Sequence, residues 1–147
     1  MFDTLHTITL SGEEYPIKCD LLVLEKIQKE FESINDFENG LMTWEPVLDE
    51  NGEKVLLEDG TVKYQGKFPD MKVLNAALFL MVNEGEAVQA ENEGRAAKHL
   101  EKEMLARKVD MQPQKLANQL HDEFYRCFYI KNEKTTQNQA NGEKTKG

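Results

Sequence analysis

Polar and apolar residues near the start of the chain follow the short alternating pattern of β-strands. Residues 5–10 are β-rich in composition, and a Gly-containing stretch at residues 11–14 follows them. Residues 15–18 form a second short run, in which Pro16 cannot donate a backbone hydrogen bond. This pattern predicts an N-terminal β-hairpin, with Pro16 at an edge or at a strand end.

A helical period of three and four residues follows the hairpin. Asp20 is a suitable N-cap for a helix predicted over about residues 21–32. Ser33 can cap a second, shorter helix, for which Asn39-Gly40 is the expected stop. The apolar stripe of the first helix comprises Leu21, Leu24, Ile27 and Phe31.

Residues 44–68 consist of three short β-like stretches separated by an Asn-Gly dipeptide at residues 51–52 and an Asp-Gly dipeptide at residues 59–60. Both dipeptides favour type I′ turns, in which both central residues have a positive φ. The segment is therefore predicted to be a small inserted antiparallel β-meander. A calcium loop is the rival interpretation, but the EF-hand spacing would require Val47 as its first ligand, and Val47 cannot coordinate calcium.

The most apolar stretch of the chain follows this insertion. Between residues 71 and 82 only Lys72 and Asn75 are polar, so the helix predicted there is buried on most sides. Asp70 is its expected cap, and Gly85 is its expected stop.

Two further helices are predicted before the C-terminus. The first, within about residues 93–108, is rich in Glu, Ala and Lys and has only a thin apolar stripe, so we expect it on the surface. The second begins at Gln112-Pro113, because proline suits the first helical position. Its apolar stripe comprises Leu116, Leu120, Phe124, Cys127 and Phe128, with Tyr125 and Tyr129 beside it.

Together these elements predict the α+β class. We expect a mainly helical single domain over residues 1–130, with a short N-terminal β-hairpin and the β-meander inserted at residues 44–68. The length of 147 residues agrees with one domain. Residues 131–147 contain no large apolar side chain, so they are expected to be a disordered polar tail.

The charge balance narrows the classes of partner. The chain has 27 Asp and Glu against 18 Lys and Arg, a formal net charge of −9. Such an acidic chain repels phosphates and anionic lipids, which argues against nucleic acid and membrane partners. No basic segment followed by an apolar one stands at the N-terminus, so no signal peptide is expected.

Recognisable catalytic motifs are absent from the sequence. There is no nucleophile elbow, phosphate-binding loop or dinucleotide fingerprint, so we expect a protein without enzymatic activity, cofactor or metal. His121 with Asp122 and Glu123 is an alternative acid/base group, although nothing in the sequence supplies a substrate pocket. Cys19 and Cys127 are expected to be reduced thiols, and a disulfide between them is the alternative.

Five sequence stretches, taken in their order, resemble a known family. They are GEEYPI at residues 12–17, DLLVLEKI at 20–27, SINDF at 33–37, FPDMKVLNAAL at 68–78 and LMVNEG at 80–85. Over residues 5–40 and 68–130 the chain resembles the tail assembly chaperones of long-tailed (siphovirus-type) phages and prophages of Gram-positive bacteria. Residues 44–68 look like an insertion relative to this pattern.

The resemblance implies a mostly helical chaperone that binds the phage tape measure protein, keeps it soluble and helps to recruit tail tube protein subunits. It implies action in the host bacterial cytoplasm and absence from the mature virion, and it leaves self-association along the client open. Another phage structural or tail-completion protein is the alternative.

Aromatic and flexible side chains are the candidates for contact with such a client, since they offer large and adaptable contact areas. For Phe124 and Phe128 packing in the core is the alternative, whereas Tyr125 and Tyr129 are expected to be more exposed. The candidate contacts are Phe124, Tyr125, Phe128, Tyr129 and Met104.

Overall fold

A computed structural model describes residues 5–127 of the chain. Within that range five α-helices and two small antiparallel β-hairpins are formed, which confirms the predicted α+β class. The predicted tail at residues 131–147 lies outside the described range. In chain order the elements are β1 (His6–Leu10), β2 (Glu13–Ile17), α1 (Leu21–Phe31), α2 (Ile34–Leu41), β3 (Trp44–Pro46), β4 (Tyr64–Gly66), α3 (Met71–Glu93), α4 (Lys102–Lys108) and α5 (Pro113–Tyr125).

The N-terminal hairpin forms as the sequence predicts. A two-residue turn joins β1 to β2, and both of its residues have a positive φ, 50° at Ser11 and 80° at Gly12. This is the type I′ geometry that matches the twist of the flanking strands. The long helix α3 packs against β2 and also against the other four helices and forms the centre of the domain.

Helix α1 begins where the sequence predicts, but its buried face differs from the predicted stripe. The Asp20 carboxylate accepts hydrogen bonds from the backbone amides of Leu22 and Val23. Val23 and Ile27 are buried, whereas Leu21 is 80% exposed. At about 100° per residue, Val23 lies ~40° from Ile27 around the helix and Leu21 lies ~120° away. Leu21 therefore falls beside the core rather than in it.

Two glycines that were expected to end helices lie inside helices instead. A Cβ atom on Gly40 would come within 2.7 Å of the Val73 Cγ2 atom, and one on Gly85 would overlap the Pro16 carbonyl. Each glycine thus allows two elements to approach closely, and neither has the positive φ of a helix stop. Helix α3 continues to Gly94, whose φ of 68° forms the left-handed cap.

The single helix predicted within residues 93–108 is wrong in extent. From Arg95 to Glu101 the chain is not helical, and only α4 within the predicted range after Gly94 forms a helix. The Asn83 side chain bonds both backbone groups of Leu100, at 3.0 Å and 2.9 Å. Glu86 accepts from the Lys98 amide at 2.8 Å. These side chains on α3 take the backbone hydrogen bonds that a helix would otherwise make.

Residues 44–68, called the arm below, are antiparallel as predicted but differ in turn type. Only the glycines of the two turns have a positive φ, 79° at Gly52 and 87° at Gly60. Each is a type I turn followed by a left-handed glycine, rather than type I′. The first and third strands also pair with each other, as β3 and β4. The backbone amides of Val47, Lys63 and Val55 donate in a ring, each at 2.9 Å to the next carbonyl.

No helix between residues 5 and 127 has both the length and the apolar character that crossing a bilayer requires.

Candidate partner-binding surface

The structure separates the five residues predicted to contact a partner. Phe124 is 1% exposed and packs 6.2 Å from the Phe37 ring, so it belongs to the core and is removed from the candidate surface. Tyr125 is 36% exposed, and Met104 is partly buried on α4, packed against the core. Phe128 and Tyr129 lie outside the described residues.

Most of the large apolar side chains that are exposed within residues 5–127 belong to the arm, where the sequence interpretation placed no partner contact. Trp44 is 61% exposed and Phe68 is 67% exposed. Six of the eleven large apolar side chains that are exposed within residues 5–127 belong to the arm: Trp44, Leu48, Leu56, Leu57, Tyr64 and Phe68. A three-stranded unit of this size has no second layer to cover its apolar side chains. The small meander predicted from the sequence was therefore already a sign that apolar side chains would be exposed here.

The base of the arm is firmly attached to the helical body. The Lys67 amide donates to the Thr43 carbonyl, and the Asp70 amide donates to the Gly40 carbonyl, both at 2.8 Å. The buried Thr43 hydroxyl donates to Asn118 Oδ1 on α5 at 2.9 Å. These bonds hold the exposed side chains at a defined place beside α5.

A shallow cavity lies where the arm meets α5. It has a volume of about 290 Å³ and is lined by Thr43, Trp44, Gly66, Lys67, Phe68, Gln114 and Asn118. Trp44 and Phe68 supply its aromatic groups, and the amides of Gln114 and Asn118 add polar groups. This combination suits one large apolar side chain of a partner within a polar rim.

No protein-family model matches this chain, and neither a curated protein nor a solved structure matches it. The resemblance to tail assembly chaperones therefore stays a prediction, and the surface has to be assigned from its own geometry and charge.

The charge of the arm favours a basic partner. Residues 44–68 contain six Asp and Glu against three Lys, a net charge of −3. Hydrogen bonds from Thr61 lower the pKa of Asp59 below its ordinary value and so favour its ionised form. Exposed apolar side chains among acidic groups match an apolar client whose flanks carry Lys or Arg.

The alternative acid/base group does not converge on one point. The His121 Nε2 atom lies 3.0 Å from the Glu38 carboxylate on α2. Glu123 is buried, and it accepts from the Cys19 amide at 3.1 Å and from the Arg126 guanidinium at 3.0 Å. Asp122 lines a separate cavity beside β1. Within residues 5–127 no cluster of three or more His, Cys, Asp or Glu could hold a metal.

The two cysteines are not joined by a disulfide in the structure. Cys19 is buried beneath α5, and its burial, followed by the proximity of Cys127, raises the pKa of its thiol well above the ordinary value. A thiol that stays protonated at neutral pH is a poor nucleophile. Cys19 therefore acts as a core residue.

Proposed function

We propose that this chain is a non-enzymatic, protein-binding assembly factor of the tail assembly chaperone type. Its client is the phage tape measure protein, which it keeps soluble while tail tube protein subunits are recruited. The observation that carries this proposal is the exposed apolar surface of the arm. The resemblance of residues 5–40 and 68–130 to the phage and prophage family supports the chaperone type, but apart from Phe68 it does not include the arm.

The mode of binding follows from the chemistry of the arm. An apolar helical client would lay its apolar face over the exposed aromatic and aliphatic side chains, with one large side chain in the cavity between Trp44 and Phe68. Aromatic anchors of this kind commonly dominate the binding energy of an interface. The net charge of −9 keeps the complex in solution and attracts basic flanks of the client.

The arm, rather than α5, is thus the proposed contact surface, and Tyr125 on α5 stays a candidate contact outside it. Met42 and Met71 are both exposed and lie close in the chain to the two ends of the arm. Methionine adapts to irregular apolar partners, so these side chains extend the proposed surface. The place of action that the proposal entails is the host bacterial cytoplasm, with the protein missing from finished virions.

Co-expression with the tape measure protein tests the proposal. The wild-type chain should keep the client soluble, and the double variant Trp44→Ala/Phe68→Ala should lose about 2 kcal/mol or more of binding free energy. Leu21→Ala is the matched control, because Leu21 is an exposed leucine outside the arm.

Three outcomes would contradict the proposal: an insoluble client with the wild-type chain, equal rescue by the double variant, or loss of rescue with the control. Detection of the protein in purified virions would instead favour a tail-completion component.

A further inference from the structure

The outer edge of β1 is the second surface with the features of a binding site. In the N-terminal sheet β2 packs against α3, and β1 is the outer strand. At its turn end the hairpin is tied to α4, because the Ser11 hydroxyl donates to the Lys108 carbonyl at 2.7 Å and Lys108 pairs with Glu13. The edge is therefore held in place on the domain.

The register fixes which backbone groups face outward. Leu10 pairs with Glu13 across the two-residue turn, so this pair exchanges hydrogen bonds. The bonding alternates along the strands, so the amide and carbonyl groups of Thr9 and Thr7 point away from β2. Pro16, the partner of Thr7, fits this register because it has no N–H to donate.

Within residues 5–127 these outward groups bond to no other segment, so they can pair with a ligand strand. Among residues 5–127, no hydrogen bond other than those of the hairpin itself involves Thr7 or Thr9. Natural edge strands usually carry charges, proline or a bulge that prevent pairing with another chain. The sequence of β1, His-Thr-Ile-Thr-Leu, contains no acidic residue, lysine, arginine or proline, whereas β2 contains two glutamates and Pro16.

A cavity lies at the open end of the hairpin, between the terminal pair His6–Ile17 and α5. Its volume is about 370 Å³, and it is lined by His6, Thr7, Ile8, Ile17, Gln119, Asp122 and Arg126. The Arg126 guanidinium is bound by Glu123, so the exposed Asp122 carboxylate is the acidic group that a ligand can reach. The cavity has room for one side chain, and Asp122 favours a basic one.

We propose that the outer edge of β1 binds an extended basic segment of another polypeptide as a third strand, with one Lys or Arg side chain in the cavity beside Asp122. Strand addition supplies backbone hydrogen bonds, and the cavity supplies selectivity. A second copy of the chain fits less well, since two copies of net charge −9 repel each other. This site is separate from the arm and does not depend on the proposed tape measure client.

A labelled nine-residue peptide of alternating valine and lysine is a suitable probe, with alternating valine and glutamate as the matched control. The lysine peptide should bind to the full chain, and the glutamate peptide should not. Binding should slow amide hydrogen exchange at Thr7 and Thr9, whose N–H groups become bonded. Exchange at Ile8, which is already bonded within the hairpin, is the internal reference.

Substitutions then test the edge itself. Thr9→Pro removes the outward N–H without removing a bond from the hairpin, so it should weaken peptide binding about tenfold. Thr9→Ser keeps the N–H and should bind like the wild type. Asp122→Asn should weaken binding of the lysine peptide while leaving exchange in the free protein unchanged.

The inference is overturned if the wild-type chain does not bind the lysine peptide, or if bound peptide leaves Thr7 and Thr9 exchanging at the free rate. Equal binding by Thr9→Pro, or a dimer of the chain that occupies the same edge, would also overturn it. Because exchange is measured on the wild-type chain, the test holds even if Thr9→Pro does not fold.

Discussion

Single carboxylates hold the segments of this domain together. Glu86 accepts two hydrogen bonds from the Arg95 guanidinium, which lowers the pKa of this glutamate, and it also accepts from the Lys98 amide. Glu123 joins α5 to the residues before α1 through the Cys19 amide. A carboxylate that caps a helix, such as Asp20, could be predicted from the sequence because capping is local. The partners of Glu86 and Glu123 could not, since folding brings them together from distant parts of the chain.

Ionisation of Glu84 should make the stability of the fold depend on pH. Partial burial and the nearby Asp20 carboxylate raise the pKa of Glu84 to about 7 from an ordinary value of 4.5. The folded state therefore holds the proton of the Glu84 carboxyl group more tightly than the unfolded state. The stability that this protonation contributes is lost as pH rises from about 4.5 through 7. Because Glu84 is partly exposed, solvent screening reduces the effect to about 1 kcal/mol.

Glu84→Gln should remove that pH dependence and raise the free energy of unfolding at pH 8 relative to the wild type. Urea unfolding of both proteins at pH 5 and pH 8 measures the difference. If the two proteins show parallel pH profiles, the assignment of the raised pKa to Glu84 is wrong.

At the scale of elements, the starts of helices were predicted better than their ends. The three predicted N-caps all accept hydrogen bonds from backbone amides in the first turn of their helices; they are Asp20, Ser33 and Asp70. Helix α3 runs through the stop expected at Gly85, whereas α2 ends one residue past Gly40 but without the positive φ expected of that glycine. The reason is that a glycine selected for close packing looks in sequence like a glycine selected for a positive φ. Only the three-dimensional neighbours, Val73 and the Pro16 carbonyl, separate the two cases.

Gly85→Ala tests this interpretation. Alanine favours a helix over glycine by about 1 kcal/mol, so local propensity alone predicts a more stable protein. Overlap of the new methyl group with the Pro16 carbonyl should instead destabilise the fold by about 2 kcal/mol. Thermal unfolding monitored by circular dichroism decides between the two, and an increased melting temperature would show that β2 does not lie against Gly85.

In the whole molecule, an acidic helical body carries an arm whose apolar side chains it leaves exposed. The α+β class could be predicted because periodicity and turn residues reveal elements. Which side chains stay exposed depends on how layers cover one another, so the sequence left Phe124 open between a partner contact and the core, where the structure has it. Trp44 and Phe68 were passed over although they are exposed.

Binding of an apolar helical client to the arm can be followed directly through Trp44, because Trp44 is the one tryptophan in the chain. Tryptophan emission should be followed while the purified full chain is titrated with a tryptophan-free helical segment of the tape measure protein. We expect the emission to shift to shorter wavelength and quenching by acrylamide to decrease, and both changes should saturate with client. Binding of the client by the arm would be contradicted if the client did not bind at all. It would also be contradicted if the client bound saturably but left Trp44 as accessible to acrylamide as in the free protein.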